Sequence, residues 1–154
     1  MSEKKVIYLE DVVVGAQFHS PEHALDPAQV VGFAQQFDPQ VFHLDEEAAK
    51  QTFFQGLVAS GWHTAAVTMK LLVQSIPVGN GLIGAGVEVA WPQPTRPNDV
   101  LRVVSTVQHI QPSRSKPDRA IVTMECLTLN QHDEVCQRMT VKTLIMRRPG
   151  EQAG

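Results

Sequence analysis

A carboxylate and an imidazole lie close together in the sequence, between two segments that are predicted to be helical. Asp38 follows the first segment, and His43 comes five residues later, just before the second. Because the α region is disfavoured for a residue that precedes proline, Pro39 should end the first helix and leave an irregular loop. In a water-poor loop, these two groups can hold one water molecule and move protons through it. The structural alternative is that Asp38 caps its own turn and His43 is a satisfied core residue.

A second candidate site lies where the longest predicted helix, residues 61–74, begins. Ser60 is a suitable N-cap, and the first N–H groups of a helix have no intrahelical acceptor. The helix dipole is positive at this end, and Gly61 has no side chain that would keep a ligand oxygen away from the backbone. These features suit an oxyanion site for a carbonyl that gains negative charge. An ordinary N-cap followed by a glycine chosen for tight packing has the same spacing.

The elements that must position these residues are helical in the first half of the chain. Asp26 followed by Pro27 predicts a capped helix that ends at Phe37. A short helix is predicted over residues 45–50. In the helix over residues 61–74, apolar side chains cover nearly every angle around the axis and Lys70 is the single charge. A helix that is apolar all round is expected to be buried on all sides.

The second half of the chain changes to the two-residue period of strands. Strands are predicted at residues 17–25, 82–91, 100–110, 119–129 and 134–146, the last two forming a hairpin. This order favours an α+β fold in which a curved antiparallel sheet wraps around the buried helix, the hotdog arrangement. The alternative is a sandwich with the helix flat on one sheet face. We expect one domain over residues 8–148, with flexible ends at 1–7 and 149–154.

Composition and charge exclude several classes of protein. Apolar residues make up 43% of the chain, which predicts a packed core. Thirteen Lys and Arg against sixteen Asp and Glu give a net charge of −3, which argues against a general nucleic-acid binder. No apolar run is long enough to span a membrane, and no signal peptide is recognised. Cys126 is predicted to point inward and Cys136 outward, so both thiols should be free and a cytoplasmic setting is expected.

Three further side chains have a weaker claim to function. His19 and His23 are four residues apart, but Pro21 places them in an extended segment, so no metal site is expected there. His63 lies in the long predicted helix, two residues after Gly61. It could line a pocket, although a packed core histidine is the simpler interpretation.

Five segments of the sequence resemble the MaoC-like dehydratases, the family that contains the (R)-specific enoyl-CoA hydratases. These segments are residues 38–45, 56–64, 89–91, 94–99 and 113–119. The resemblance extends over residues 9–148, almost the whole chain. It implies a hotdog fold and usually a homodimer whose sheets join edge to edge, and we expect either this homodimer or a dimer of dimers.

The resemblance also implies a role for each residue of the two candidate sites. Asp38 and His43 match the family's catalytic acid/base pair, and Gly61 matches the glycine whose N–H binds the thioester oxygen. Ser60 and Trp62 flank that glycine as candidate substrate contacts, although a core position is the favoured interpretation for Trp62. The implied reaction is the reversible addition of water to a trans-2-enoyl-CoA. Coenzyme A would enter as part of the substrate, and neither a metal nor a redox cofactor is required.

Coenzyme A is a polyanion, so basic residues in the resembling segments are candidates for contacts with its phosphates. They are Arg96, Arg114, Lys116 and, less directly, Arg119. For each of them, a solvated loop position is the structural alternative.

Three positions depart from the pattern of the best-known hydratases, so their acyl specificity is not transferred to this chain. Gln40 and Val41 stand where those enzymes have Asn and Pro, and Ser60 stands where they have His. Two other functions also remain open, a hotdog thioesterase and a non-catalytic acyl-CoA binding module. The absence of Asp and Glu from residues 61–74 counts against a thioesterase with a carboxylate on the central helix.

Overall fold

A computed structural model describes residues 5–150 of the chain. In the first half, two short strands and four helices follow a 3-10 turn at Leu9–Asp11. They are β1 (Gln17–His19), β2 (His23–Ala24), α1 (Pro27–Phe37), α2 (Val41–Leu44), α3 (Glu46–Ala49) and α4 (Gly61–Ser75). The second half contains the long strands β3 (Ile83–Ala90), β4 (Val100–Pro112), β5 (Arg119–Leu129) and β6 (Val135–Met146).

The strands form one antiparallel sheet in the order β1-β4-β5-β6-β3, and β2 pairs with β4 beside this path. The sheet is curved, and α4 packs against β4 and β6. Fully buried side chains from both layers, such as Leu71 on α4 and Val103 and Ile145 on the sheet, belong to one core. The fold is therefore α+β with the hotdog arrangement, which confirms the prediction.

Local capping explains why α1 has the bounds that the sequence predicts. The Asp26 carboxylate accepts a hydrogen bond from the Gln29 N–H at 2.8 Å, and Pro27 occupies the first turn. The helix ends at Phe37, because Asp38 before Pro39 adopts an extended φ of −154°. The bounds of α3, β5 and β6 likewise agree with their predictions to within about two residues, the usual uncertainty of such assignments.

Two local predictions are wrong in part. The segment between Asp38 and Asp45 is not wholly irregular, because Gln40 is extended and the chain then forms the single helical turn α2. The edge strand predicted at residues 17–25 is interrupted around Pro21, since proline has no N–H for a ladder hydrogen bond. Two short strands, β1 and β2, replace it.

The prediction that α4 is buried on all sides is wrong for one face. Trp62, Met69 and Val73 are 62%, 44% and 57% exposed, and together they form a stripe along the helix, the α4 stripe. Strand β3 beside it is exposed along most of its length, with Val87 at 57%. Apolar side chains on every face of α4 favour burial of every face, but residues 5–150 of one chain leave this face exposed.

The predicted orientation of Cys136 is also wrong. Both cysteines are free, as expected, but both are buried. The register of the β5–β6 pair shifts between Thr128 and Leu129, so that Cys136 has no partner residue on β5. Such a bulge breaks the alternation on which the prediction rested. Burial raises the pKa of the Cys136 thiol, with hydrogen bonds from the side chains of Thr95 and Gln93 acting in the opposite direction.

The chain ends lie largely beyond the described residues. The predicted flexible ends include residues 1–4 and 151–154, which the structure does not describe. Nearer the core, Ile7 forms a parallel bridge with Val78, and Arg148 pairs with Asp11. No helix within residues 5–150 combines the length and hydropathy that a membrane span requires.

Candidate active site

The structure brings Asp38 and His43 into direct contact. The distance from Asp38 Oδ2 to His43 Nε2 is 3.1 Å, and the two side chains are 17% and 6% exposed. Asp38 terminates α1, and His43 is the third residue of α2. The extended residues between the two helices therefore reverse the chain direction enough for the imidazole to face the carboxylate.

The backbone fixes the orientation of the His43 ring. Its Nδ1 lies 2.6 Å from the carbonyl oxygen of Val58. A carbonyl only accepts hydrogen bonds, so Nδ1 carries a proton and donates it, and Nε2 is the atom that faces Asp38. The Val58 N–H in turn donates to the Phe42 carbonyl at 3.0 Å. These paired bonds hold α2 against the segment that leads into α4.

Three polar side chains surround the Asp38 carboxylate. Gln40 Nε2 donates to Oδ1 at 2.6 Å, and the Ser60 hydroxyl and the His43 ring also bind the carboxylate. Partial burial raises the pKa of Asp38, but these hydrogen bonds and the charge of His43 outweigh it and place the pKa below its usual value. Asp38 is therefore ionised at neutral pH. Its contact with Nε2 is attractive when that nitrogen carries a proton.

Ser60 and Gly61 form the N-terminus of α4, as the sequence predicts. Ser60 is fully buried, and its Oγ accepts a hydrogen bond from the Trp62 N–H at 3.2 Å. In the part of the chain that the structure describes, the Gly61 N–H has no acceptor. A Cβ atom on Gly61 would lie 2.6 Å from the Trp91 indole. Close packing against Trp91 therefore requires a glycine at this position. This requirement does not involve the Gly61 N–H, which stays free to bind a ligand oxygen.

Both candidate sites open into one cavity of about 410 Å³. Asp38, His43 and Gly61 line it together. Five aromatic side chains form much of the remaining wall, Phe42, Phe53, Phe54, Trp62 and Trp91. An ionised carboxylate, the imidazole beside it and a free backbone donor therefore face the same largely apolar space, where electrostatic interactions are stronger than in water.

The sequence profile described as the MaoC like domain matches residues 11–128 of the chain. The chain belongs to the MaoC-like family. The MaoC-like dehydratase from Rhodospirillum rubrum, known from a crystal structure, is 56% identical, with a TM-score of 0.91 over 93% of this chain and 99% of that one. The uncharacterized protein YdeM of Bacillus subtilis (strain 168) is 31% identical over 142 residues, which are 90% of this chain and 99% of that protein.

A solved structure of much lower sequence identity has the same fold. The unliganded (R)-hydratase PhaJ1 from Pseudomonas aeruginosa superposes with a TM-score of 0.78 over 93% of this chain and 88% of that one. Its sequence is 22% identical. The hotdog fold of this MaoC-like chain is therefore shared with proteins of widely different sequence.

Trp62 and His63 occupy different environments in this MaoC-like chain. Trp62 is exposed and lies on the cavity wall, where its ring meets Trp91 edge to face at 5.5 Å. His63 is buried and stacks on Phe33 at 4.5 Å, outside the cavity lining. Desolvation by burial lowers the pKa of His63, with a smaller contribution from His23. His63 is therefore a packed residue, and Trp62 is the one that can meet a ligand.

The basic residues considered for coenzyme A lie outside the cavity lining. The Arg96 guanidinium donates to the carbonyls of Phe54 at 2.9 Å and Leu57 at 3.5 Å, so it holds a wall segment in place. Arg114 and Lys116 lie in the exposed turn between β4 and β5. Arg119 pairs with the neighbouring Asp118 at 2.8 Å. The structure does not bring these cations together at the site of Asp38.

The two early histidines do not converge. His19 lies on β1 and His23 on β2. The ring nitrogens of His23 contact Gln29 Oε1 at 2.7 Å and Lys70 Nζ at 3.0 Å. Across residues 5–150, no group of three or more His, Cys, Asp or Glu side chains is arranged to hold a metal ion.

The sequence analysis did not identify two residues that shape the site. Gln137 was not considered, and Trp91 was considered only as part of a segment that resembles the family. Trp91 covers Gly61, and its indole Nε1–H donates to the fully buried Gln137 at 2.9 Å. A signal was present, because Gln137 is a long polar side chain in the inward-facing series that includes Met139 and Val141 on β6. A buried amide on this mainly apolar strand face requires a polar partner inside the protein.

Proposed function

We propose that this MaoC-like protein is a hydratase/dehydratase that acts on acyl thioesters. It adds water to a trans-2-enoyl-CoA or removes water from the corresponding 3-hydroxyacyl-CoA. The observation that carries the proposal is the contact between Asp38 and His43 in the cavity that Gly61 also lines. Coenzyme A enters as part of the substrate, and the proposed steps use only groups of the chain itself.

In the proposed reaction, the thioester carbonyl accepts a hydrogen bond from the Gly61 N–H. Polarisation of the carbonyl makes the β-carbon electrophilic and stabilises the negative charge that develops on oxygen. Asp38 and His43 hold one water molecule beside the double bond. The pair takes a proton from this water as its oxygen bonds to the β-carbon, and a proton is returned to the α-carbon. The enzyme therefore ends in the protonation state in which it began.

The test is a hydration assay on a panel of short, medium and branched trans-2-enoyl-CoA thioesters. Loss of the conjugated double bond is followed by absorbance, and release of free thiol is followed in parallel. We expect double-bond loss without thiol release for at least one substrate. Thiol release without hydration would instead indicate a thioesterase. If both signals are absent while the thioester binds, the chain is an acyl-CoA binding module and the proposal is wrong.

We further propose that the protein is a homodimer whose subunits meet at β3. This strand is the last of the sheet and pairs only with β6 among the described residues, so its other edge presents free N–H and C=O groups. An apolar groove of about 430 Å³ runs beside it, lined by Met69 and Leu72 of α4 and Val87 of β3, among others. A second copy would pair along β3 and cover Met69 and Val73 of the α4 stripe, while Trp62 stays on the wall of the other cavity.

Val87→Asp should convert the dimer to a monomer. Val87 is 57% exposed on the proposed interface, and burial of an unpaired carboxylate there is costly. Light scattering coupled to gel filtration should give the single-chain mass of 17.0 kDa for the variant and twice that mass for the wild type. Val13→Asp is the matched control, because Val13 is 64% exposed but precedes β1 at the opposite end of the sheet. An unchanged mass in Val87→Asp would place the interface elsewhere.

A further inference from the structure

A chain of buried polar side chains crosses the core behind the candidate active site. Gln137 Nε2 donates to Thr68 Oγ1 at 3.1 Å, and Thr68 Oγ1 donates to the Thr64 carbonyl at 2.8 Å. The hydroxyl of Thr68 has one proton, so Thr128 must be the donor in the 2.6 Å contact between the two threonine oxygens. Gln137, Thr68 and Thr128 are each fully buried.

This network ends at one group outside the deep core, the indole of Trp91. The Gln137 amide uses its nitrogen toward Thr68 and its oxygen toward Trp91 Nε1–H, at 2.9 Å. Thr68 on α4 thus fixes the amide, and the amide fixes the indole, whereas the Thr128 hydroxyl on β5 hydrogen-bonds Thr68 and not the amide. Placing polar groups in a core has a desolvation cost, which an apolar residue at position 137 would avoid. The hydrogen bonds of the amide give the Trp91 ring a defined orientation, which an apolar residue could not do.

The orientation of Trp91 matters because the ring lies directly against the first residue of α4. A Cβ on Gly61 would be 2.6 Å from Cε2 and 2.8 Å from Cζ2 of the indole. The ring also meets Trp62 edge to face at 5.5 Å and lines the cavity with Asp38 and His43. Rotation of this ring would therefore alter the space in front of the Gly61 N–H.

We propose that Gln137 is a positioning residue of the oxyanion site and acts through Trp91. The amide holds the indole against Gly61, so that a thioester carbonyl has one approach to the Gly61 N–H. The inference rests on the hydratase activity proposed above. It adds a residue that touches neither the substrate nor the acid/base pair.

The kinetic test is Gln137→Met, which keeps an unbranched side chain of similar length and removes both hydrogen bonds. We expect kcat and kcat/KM for enoyl-CoA hydration to fall together, by about tenfold to a hundredfold, because a misplaced wall costs transition-state stabilisation. Thr128→Val is the matched control. It removes a hydroxyl from the same buried network and leaves the bond between Gln137 and Trp91 in place, so kcat should stay near the wild-type value.

Two readouts separate positioning from a general loss of stability. Trp62→Phe leaves Trp91 as the single tryptophan of the chain, and Gln137→Met in this background should shift its fluorescence emission, whereas Thr128→Val should not. In a Trp91→Phe background, Gln137→Met should lower kcat no further, because the residue through which it acts has lost its N–H.

Each outcome bears on a different claim. If the wild type is active and Gln137→Met matches Thr128→Val in kcat and emission, Gln137 is merely structural and the inference is overturned. A further loss of kcat in the Trp91→Phe background would also overturn it. If the wild type hydrates no thioester on the panel, the proposed function fails and the inference fails with it.

Discussion

Asp38→Asn should lower kcat/KM for enoyl-CoA hydration by about 10³-fold, within the range for loss of a general acid–base group. The amide has nearly the shape of the carboxylate, so the cavity should persist. It has no negative charge, however, and cannot take a proton from the water held beside His43. The measurement is the initial rate of double-bond loss on the best substrate of the panel, with circular dichroism to verify folding.

Asp45→Asn is the matched control for this substitution. Asp45 lies at the end of the same segment but caps α3, where its carboxylate accepts a hydrogen bond from the Ala48 N–H at 2.9 Å. Asparagine is an equally good N-cap, and Asp45 does not line the cavity, so full activity is expected. Activity in Asp38→Asn comparable to that of Asp45→Asn would refute the catalytic role.

Substitution of His43 should lower kcat/KM as much as substitution of Asp38, and the two losses should not multiply. His43→Asn removes the Nε2 that contacts Asp38 and the Nδ1–H that binds Val58. Because the two side chains work on one water molecule, the double variant should be about as inactive as either single variant. Multiplied effects in the double variant would show that the residues act independently.

Acid should reduce the difference in stability between wild type and Asp38→Asn. The folded protein holds the pKa of Asp38 below its usual value of 3.8, with Gln40, Ser60 and His43 opposing the effect of burial. An ionised Asp38 therefore stabilises the fold above pH 3.8, and this contribution is lost as the pH falls through the lower folded pKa. Chemical denaturation of both proteins at neutral and acidic pH measures the difference.

Local signals predicted the elements that position the site. The Asp26–Pro27 cap, the Asp38–Pro39 stop and the Ser60–Gly61 start act within a few residues, so the helices are correctly placed. The fold class follows from the order of these helices and the period-two strands. The contact between Asp38 and His43 is also short in sequence, which is why the spacing alone pointed to it.

Long-range contacts account for what the sequence did not predict. Gly61 meets Trp91 from a distant strand end, and no local pattern relates the two residues. The bulge that buries Cys136 depends on how β5 and β6 pair. The alternation of apolar and polar residues along one strand contains no information about this pairing. The guanidinium of Arg96 was considered for phosphate binding, but the fold turns it toward the carbonyls of Phe54 and Leu57.

Gly61→Ala should be the most damaging substitution outside the acid/base pair. The added Cβ would lie 2.6 Å from the indole of Trp91. The hydrogen bond from this indole to Gln137 opposes a shift of the ring away from the Cβ. We expect a loss of about 1–3 kcal/mol in the free energy of unfolding from overpacking. We also expect kcat to fall by about 10²–10³-fold, as when an oxyanion donor is removed. Alanine keeps the backbone N–H, so this kinetic loss would come from the displaced ring and the blocked approach of the thioester oxygen.

Gly32→Ala is the control for the chemical change itself. A Cβ on Gly32 would meet nothing within 4 Å, and the residue lies within α1, so alanine should stabilise the protein by up to about 1 kcal/mol without changing kcat. The double variant Gly61→Ala with Trp91→Leu then separates packing from catalysis. The smaller side chain should relieve the clash and restore stability, while hydration stays slow because the wall in front of the N–H is gone. Recovery of both properties would show that the kinetic loss in Gly61→Ala came from the clash with Trp91 alone and that the indole itself is not needed for hydration.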